Sequence, residues 1–345
     1  MTWTKPNLGL ALWNGSRANN ILWPLEPNNR SGGGLEGLFR DDRRGVPDSE
    51  RWKMLCGVCE PACLKHGQGV CASPDGIHWR VVVSHAAISS DTYNMGQWDP
   101  VSQQYAFYMR HEPPPGGFVA GGPPDRRQIG LCLTPSLENI CIGGKGNIVA
   151  METDTEVEPA ATDIYTNSVT RYEGHTLFFP SIFFHFNRTS NCEPHGCRGP
   201  PFNFDGDGLL DIRLAHGGRS IVARNITYSS AWNALEPFIP LQVNRCDFAG
   251  SVTDWGGWCS PTNGDLAKTS AGTSAVYMVA GYLLSANGET INLFASAQPF
   301  SHGGDGEKPT WGSNTAIQRY ELRRDVSAAP PFASSSEASR KLLYS

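Results

Sequence analysis

Residues 96–110 read GQWDPVSQQYAFYMR, and this stretch contains the unit that decides the fold. A short segment ends at Trp98-Asp99-Pro100, a polar turn follows, and a second segment rich in aromatic residues begins at Tyr105. A third apolar segment, RQIGLCL, occupies residues 127–133. Short aromatic-rich and β-branched segments bounded by turn residues predict antiparallel strands.

The same order of elements recurs along the chain. A first copy has its segments at 38–42, 50–55 and 70–79, a third copy at 168–174, 176–183 and 210–215, and a fourth copy at 275–282 and 290–296. Residues 317–323 look like part of a fifth copy that residues 8–12 would complete. Units of about 60–75 residues built from four short strands are typical of propeller blades.

We therefore predict an all-β fold, a five-bladed β-propeller forming a single domain over residues 1–326. A β-sandwich also has many short strands, but it does not explain the recurring order. Residues 327–345 are rich in Ser, Ala and Pro and are predicted to be a disordered tail.

Composition excludes some classes of partner. The formal net charge is −5 and no long basic run is present, so a nucleic-acid partner is not indicated. No apolar stretch approaches the roughly 18 residues of a transmembrane helix, so we expect no membrane span. Glycine (38) and proline (25) are abundant among the 345 residues, as expected where many turns join short strands.

Other features favour the extracellular space or the secretory pathway. Ten cysteines are many for a cytosolic protein of this size. N-glycosylation sequons occur at Asn14, Asn29, Asn187 and Asn225, which predicts a glycoprotein. The first residues lack the apolar core of a signal peptide, which for a secreted protein would imply a trimmed N-terminus.

The cysteines allow two interpretations. The first four could bind zinc by spacing alone, whereas their even number and the sequons favour disulfides. The remaining six form three local pairs whose spacing suits short-loop disulfides, although the pairing itself stays open. The first four cysteines are Cys56, Cys59, Cys63 and Cys71, and the three local pairs are Cys132 with Cys141, Cys192 with Cys197, and Cys246 with Cys259.

Several short motifs carry a family resemblance. They are DGIHW at 75–79, DTYN at 91–94, WDP at 98–100, DIYT at 163–166, YEG at 172–174, DGLLDIRLA at 207–215 and LRRD at 322–325. Over about residues 5–325 the chain resembles the five-bladed propeller domain of the glycoside hydrolase family 32 and 43 superfamily. The resemblance is mostly to uncharacterised members of the superfamily. It implies a carbohydrate substrate.

The chain departs from the invertase-like members of that superfamily. Their Trp-Met-Asn-Asp-Pro start, Arg-Asp-Pro motif and Glu-Cys motif are absent, and no C-terminal β-sandwich is expected. Glu60 follows Cys59, which is the reverse of the Glu-Cys order. A fructose-releasing activity is therefore not implied.

In a propeller, the innermost strands start near the central axis, where glycosidases of this shape keep their carboxylates. Asp91 and Asp163 stand at two such starts and are our predicted catalytic pair. Glycoside hydrolysis needs one protonated and one ionised carboxyl group. The competing interpretation is that each aspartate caps a turn.

Further polar side chains near the predicted axis could orient the sugar. The predicted substrate-binding residues are Asn20, Asn94, Arg110, Tyr165 and His302. For the fourth blade we leave Asp247, Asp254 and Trp258 open, and Asn19 accompanies Asn20 in the first. Glu26 and Glu173 are reserve carboxylates, although Tyr172-Glu173-Gly174 is also typical of a solvated hairpin tip. Asp41, Asp42 and Asp99 are predicted to lie at turns.

Two motifs have structural interpretations. Residues 73–79, SPDGIHW, are close to the Asp-box of sialidases, which is a blade turn and not a catalytic element. Asn203, Asp205, Asp207 and Asp211 match the first oxygen ligands of a calcium loop, but the twelfth position is Leu214 instead of Glu. We predict no cofactor, with calcium at these four residues as the weaker alternative.

The sequence thus predicts a glycoside hydrolase that hydrolyses or transfers a glycosyl unit. The main alternative is a non-catalytic carbohydrate-binding propeller, and a protein-binding scaffold is a third, because the fold does not fix the function.

Overall fold

In the computed structural model, the described residues are 4–22, 35–57, 68–86, 94–111, 127–139, 148–151, 162–185, 208–217, 227–228, 238–239, 275–279, 281–298 and 316–324. Their regular structure is almost all strand, with single 3-10 turns at Asp48–Glu50 and Leu137–Asn139. The strands are β1 (Leu35–Arg40), β2 (Trp52–Gly57), β3 (Gln68–Ser73), β4 (Arg80–Ala86), β5 (Met95–Asp99), β6 (Gln104–His111), β7 (Gln128–Thr134), β8 (Ile148–Met151), β9 (Thr162–Tyr172), β10 (His175–His185), β11 (Gly208–Ile212), β12 (Ala215–Gly217), β13 (Thr227–Tyr228), β14 (Ala275–Met278), β15 (Leu283–Leu284), β16 (Thr290–Gln298) and β17 (Ala316–Arg323).

Two sheets are four-stranded and follow the order of the chain. The first sheet is β1-β2-β3-β4 and the second is β5-β6-β7-β8. Neighbouring strands of the first sheet are antiparallel, as are β5 and β6. The first sheet is therefore a simple up-and-down arrangement, which short connections make possible.

The third sheet has nine strands, in the order β13-β12-β10-β11-β14-β16-β15, with β9 added beside β10 and β17 beside β16. Its longest element is the hairpin of β9 and β10, closed by Glu173 and Gly174 at φ angles of 49° and 79°. Two consecutive positive φ angles are typical of the tight hairpin turn that matches strand twist. Strands β11 and β14 pair in parallel, which requires a longer connection.

The chain forms two compact units, one of residues 1–111 with 130–148 and the other of residues 112–129 with 149–345. The core of the first unit is aromatic and includes Phe39, Tyr105 and Phe107. A core of the second unit packs Phe179, Ile212 and Leu293 among other apolar side chains. Alternation of apolar residues along the strands places these side chains on one face.

The predicted all-β class is confirmed. The strand predicted at residues 8–12 is wrong, because these residues form an irregular loop instead. Gly9 has a φ of 67°, and its carbonyl oxygen and that of Leu10 accept hydrogen bonds from the Arg17 guanidinium. The Ala11 carbonyl accepts from the Asn19 side chain at 2.8 Å, so side chains satisfy these three carbonyls, whereas the Leu8 N–H donates to the Asn19 backbone carbonyl.

The five-bladed architecture and the single domain over residues 1–326 remain predictions.

Among the described residues, no helix is long and apolar enough to cross a membrane.

Candidate functional site

The most specific polar contact in the first unit joins the first strands of the two four-stranded sheets. Glu36 lies in β1, and Asn94 immediately precedes β5. One carboxylate oxygen of Glu36 accepts hydrogen bonds from the Asn94 backbone N–H at 2.8 Å and from its side-chain amide at 2.9 Å. Asn94 is completely buried, so both bonds are shielded from water.

The backbone around Glu36 explains how the two strands approach so closely. Gly37 has a φ of 60°, and the register of β1 against β2 shifts between Glu36 and Phe39. A Cβ atom at Gly37 would lie 2.5 Å from the Asn94 carbonyl oxygen and 2.9 Å from the Met95 Cα. Only glycine fits there, since the position requires both a left-handed backbone and the space of the missing side chain.

Asn94 also reaches the second strand of its own sheet. Its side-chain oxygen accepts a hydrogen bond from the Arg110 backbone N–H at 3.4 Å, near the end of β6. The Arg110 side chain is half-buried. Asn94 therefore ties Glu36 of one sheet to Arg110 of the other, and the predicted residues Asn94 and Arg110 do lie together.

Asp91 lies outside the described residues, three positions before Asn94. Asn20, the other predicted sugar-binding residue of this unit, lies exposed in the loop of residues 4–22. Its neighbour Asn19 has a structural task, because its amide donates to the Ala11 carbonyl and its oxygen accepts from the Ile21 N–H at 3.0 Å.

In the second unit, the predicted residues Asp163 and Tyr165 lie at the start of β9. The backbone of Asp163 pairs in register with Phe183 of β10. Tyr165 is buried, and its ring lies 5.5 Å from that of Phe183 and 6.0 Å from that of Tyr277. Tyr165 therefore belongs to an aromatic cluster two residues along β9 from the predicted catalytic residue.

Arg127 brings a positive charge to this aromatic cluster. Its guanidinium lies 5.0 Å from the ring centroids of both Tyr165 and Phe183. Its carbonyl oxygen accepts a hydrogen bond from the Ile164 N–H at 3.1 Å. A cation over two aromatic faces is an attractive arrangement, and the backbone bond fixes Arg127 beside the residue that follows Asp163.

The sequence did not identify Glu36, which binds Asn94, or Arg127, which lies over the rings of Tyr165 and Phe183. Arg127 was visible as the first residue of the segment RQIGLCL, but its aromatic partners lie far away in sequence. Glu36 stands in a glycine-rich stretch, GGGLEG at 32–37, and no local pattern marks its partner 58 residues away.

The predictions for the other aspartates of the first unit hold. Asp99 closes a turn by accepting from the backbone N–H of Ser102 at 3.1 Å and from its hydroxyl at 2.7 Å. Asp42 is exposed in a surface ion pair with Arg40. Asp41 follows β1 and accepts from the Arg43 backbone N–H at 3.2 Å, as a turn residue does, but it is also fully buried.

The burial of Asp41 is compensated by a polar network. The Lys53 ammonium lies 2.9 Å from one Asp41 oxygen and is itself only 1% exposed. The Tyr105 hydroxyl donates to the same oxygen, and Lys53 also donates to the Glu50 carbonyl at 2.7 Å. Burial, and then the bond to Asp41, raise the pKa of Tyr105 far above its ordinary value. These groups form hydrogen bonds and an ion pair with one another, which indicates a structural role for the network.

Glu173 occupies the hairpin tip between β9 and β10, as its solvated-turn interpretation predicted, and it pairs with Arg324. Glu26 lies outside the described residues, as do the fourth-blade candidates Asp247, Asp254 and Trp258. The predicted sugar-binding residue His302 lies outside them as well.

The Asp-box-like segment is a self-contained turn. One Asp75 oxygen accepts from the backbone N–H groups of Ile77 and His78, both at 2.8 Å, and the other lies 2.7 Å from the His78 ring nitrogen. Hydrogen bonds from the backbone and side chain of His78 hold the pKa of Asp75 well below its usual range. The structural interpretation of this motif is confirmed.

The calcium alternative has one described residue, Asp211. Both of its oxygens accept from the Arg213 guanidinium, at 2.9 and 3.0 Å. Burial raises the pKa of Asp211, and the charge of Arg213 opposes that shift. An oxygen pair already bound bidentately by arginine is a poor metal ligand. Asn203, Asp205 and Asp207 lie outside the described residues. In the part of the chain that the structure describes, no three metal-ligating side chains cluster.

The preference for disulfides over zinc is confirmed at one pair, since Cys56 of β2 and Cys71 of β3 are bonded with a Cα–Cα distance of 5.9 Å. Cys132 is also disulfide-bonded. The other seven cysteines lie outside the described residues, so the pairing that the sequence left open for them is not tested.

Two tryptophans differ in their surroundings. The ring of Trp98 packs edge-on against that of Tyr105, with the ring centroids 4.8 Å apart, whereas Trp13 is exposed.

No protein-family model matches the chain, and no curated protein matches it. Several solved structures with partial similarity are glycoside hydrolases. A thermostable family-43 glycoside hydrolase overlaps 85% of this chain and 70% of its own, at 9% identity and a TM-score of 0.42. An α-L-arabinofuranosidase from Lactobacillus brevis overlaps 88% and 78%, at 10% identity and 0.44. A glycosyl hydrolase from Bacteroides ovatus overlaps 84% and 67%, at 9% identity and 0.40. Similarity at these values carries no conclusion about blade number, activity or site residues.

Proposed function

We propose that the chain is a five-bladed β-propeller glycoside hydrolase, with Asp91 and Asp163 as its pair of catalytic carboxyl groups. The observation that carries the proposal is the contact of Glu36 with Asn94, where the first strands of two successive four-stranded sheets meet. Convergence of first strands is what a propeller requires, because these strands surround its central channel.

Chain geometry limits how far Asp91 can lie from Asn94. Three residues of extended chain span at most about 10 Å, so the Cα atom of Asp91 lies within that reach of the Cα atom of Asn94. Asn94 is fixed in the interior at the meeting point of β1 and β5. This supports a location for the Asp91 carboxylate at the same end of these strands.

Asp163 has a comparable setting in the second unit. It stands at the second position of β9, two residues before the buried Tyr165, whose ring lies under the cationic Arg127. A guanidinium can hold a neighbouring carboxylate ionised or bind a sugar hydroxyl. The backbone hydrogen bond between Arg127 and Ile164 keeps this cation at the start of β9, which supports a place for Asp163 in the proposed pair.

The chemistry needs the two carboxyl groups in different protonation states. One carboxylic acid protonates the leaving glycosidic oxygen, and the other carboxylate activates water or attacks the sugar itself. A separation of about 5 Å would give retention and one of about 6.5–9.5 Å inversion. In this proposal Asn20, Asn94, Arg110, Tyr165 and His302 orient the sugar.

The test is a screen of aryl glycosides and plant and algal oligosaccharides with the full chain and three variants. We expect turnover by the wild type, and a loss of kcat of about 100-fold or more in Asp91→Asn and in Asp163→Asn with sugar binding retained. Asp42→Asn is the matched control, since Asp42 is an exposed aspartate whose only described ion pair is on the surface. It should keep full activity.

Two results would contradict the proposal. Binding of oligosaccharide without turnover of any substrate would favour the non-catalytic carbohydrate-binding propeller. Full activity of either Asp91→Asn or Asp163→Asn would contradict the catalytic role assigned to that residue, even if the chain hydrolyses glycosides.

The oxidised cysteines support a second part of the proposal, residence in the secretory pathway or outside the cell. Cys56 and Cys71 are joined, and such bonds persist in oxidising compartments. Asn14 stands exposed at the tip of a tight turn closed by Trp13 and Ser16, where a glycan could be attached. Intact mass of protein secreted by its own host, before and after enzymatic removal of N-glycans, tests this; an unchanged mass would count against glycosylation.

A further inference from the structure

We infer that Glu36 is a positioning residue, which fixes the chain segment carrying Asp91 by clamping Asn94; this inference rests on the proposed function of Asp91. Glu36 itself is not assigned any contact with substrate. Its carboxylate acts through Asn94, from which it accepts two hydrogen bonds.

The clamp has two points of attachment on a single residue. The backbone N–H of Asn94 fixes the path of the chain, and the side-chain amide fixes the rotation of the residue about that path. The Asn94 oxygen is held in turn by the Arg110 N–H. Hydrogen bonds to an ionised carboxylate are stronger than neutral ones, so a glutamate suits this task.

The backbone contact at Gly37 adds to the clamp. The Asn94 carbonyl oxygen lies so near the Gly37 Cα that a Cβ atom there would come within 2.5 Å of it. The residue that leads into β5 is thus fixed on its N–H side by Glu36 and bordered on its carbonyl side by Gly37. In the sequence, Asp91 stands three residues before this fixed point.

A misplacement of about 1 Å can cost a catalytic group roughly 100-fold in rate, even where the altered residue is remote from the chemistry. Loss of the clamp should therefore reduce kcat by about 100-fold while KM changes less than about threefold. The same loss should expose the Asn94 N–H, because a buried donor without its acceptor opens to water more often.

The experiment compares Glu36→Leu, Glu36→Gln and Asn94→Asp with the double variant Glu36→Gln/Asn94→Asp. Glu36→Leu removes the oxygen that accepts both hydrogen bonds, and Asn94→Asp sets two carboxylates against each other. The double variant exchanges the amide and the carboxylate, so that Gln at 36 can accept from the backbone N–H and donate to Asp at 94. Glu36→Gln alone keeps an acceptor oxygen.

Amide hydrogen exchange over residues 94–98 and steady-state kinetics are the two readouts. We expect about tenfold faster exchange and the loss of kcat in Glu36→Leu and in Asn94→Asp. The exchange rate should return toward the wild-type value in the double variant, and Glu36→Gln should lie near the wild type in both quantities. Glu138→Leu, which alters an exposed glutamate of the same unit, should change neither quantity.

The possible failures are distinct. Unchanged exchange in Glu36→Leu, or faster exchange without any loss of kcat, would overturn the positioning role. A double variant whose residues 94–98 exchange as fast as those of Asn94→Asp would also overturn it, and this comparison remains available if Glu36→Leu does not fold. Full activity of Asp91→Asn would instead overturn the proposed function, whatever the exchange of Asn94.

Discussion

At the scale of single residues, the first unit contains an ionic group that its apolar surroundings alone would not tolerate. Asp41 is completely buried, and it is stabilised by Lys53, by the Tyr105 hydroxyl and by the backbone N–H of Arg43. The Arg43 guanidinium lies over the rings of Trp98 and Tyr105, at 5.1 and 4.9 Å. Each member is thus satisfied by another, which is the condition for a buried polar network to be stable.

We predict that Lys53→Met lowers the free energy of unfolding by about 3–5 kcal/mol, because it leaves the Asp41 charge buried without its partner. Tyr105→Phe should cost less, about 1–2 kcal/mol, since it removes one hydrogen bond and little volume. Urea unfolding measures both. Asp42→Asn alters only a surface pair and should stay within about 0.5 kcal/mol of the wild type; an equally small effect of Lys53→Met would show that the network is dispensable.

The turn at Asp75 gives a pH dependence with a definite sign. Its folded-state pKa lies below the ordinary value of 3.8, so its stabilising contribution is fully present above that pH and is lost as the pH falls. Asp75→Asn should therefore be less stable than the wild type at about pH 6, and the difference should shrink below about pH 4. Urea midpoints at a series of pH values measure this, and a difference that grows on acidification would contradict it.

At the scale of elements, the approach of β1 to β5 depends on Gly37. We predict that Gly37→Ala is clearly more destabilising than Gly45→Ala. Both positions have a positive φ, which costs alanine about 1–2 kcal/mol, but a Cβ atom at Gly45 meets no atom within 4 Å. At Gly37 it meets main-chain atoms at 2.5 and 2.9 Å, and main chain must then shift.

Thermal or urea unfolding of the two alanine variants measures the difference, with Gly45→Ala as the control for backbone conformation alone. Equal destabilisation would mean that β1 and the start of β5 are not in contact in solution. Gly37→Ala should also speed amide exchange at Asn94, because a displaced β1 carries the Glu36 carboxylate away with it.

At the scale of the whole molecule, the proposed single propeller domain over residues 1–326 makes a prediction about size and cooperativity. A compact chain of 345 residues has a radius of gyration of about 20 Å. We expect this value from small-angle X-ray scattering, together with one unfolding transition. A larger radius with two separate transitions would indicate two independent domains instead.

The sequence predicted the strands well where aromatic and β-branched residues dominate. Residues 105–110 and 176–183 were predicted to be strands, and they lie within β6 and β10. The turn at Asp99 and the hairpin tip at Glu173 followed equally from local chemistry, since Asp and Gly favour these conformations for reasons within a few residues. Residues 8–12 show the converse, because an apolar run there is held as a loop by Arg17 and Asn19.

The amino-acid sequence by itself determined the all-β class, the positions of most of the described strands and turns, and the preference for a disulfide over a metal site at Cys56 and Cys71. Such features depend on side-chain preference and alternation over a few residues, which any stretch of sequence displays. Only the tertiary structure decided that Glu36 binds Asn94, that Arg127 lies over Tyr165, and that Asp41 is buried with Lys53. These contacts join residues that are close only after strands have paired and packed, and no local pattern encodes which partner will be nearest.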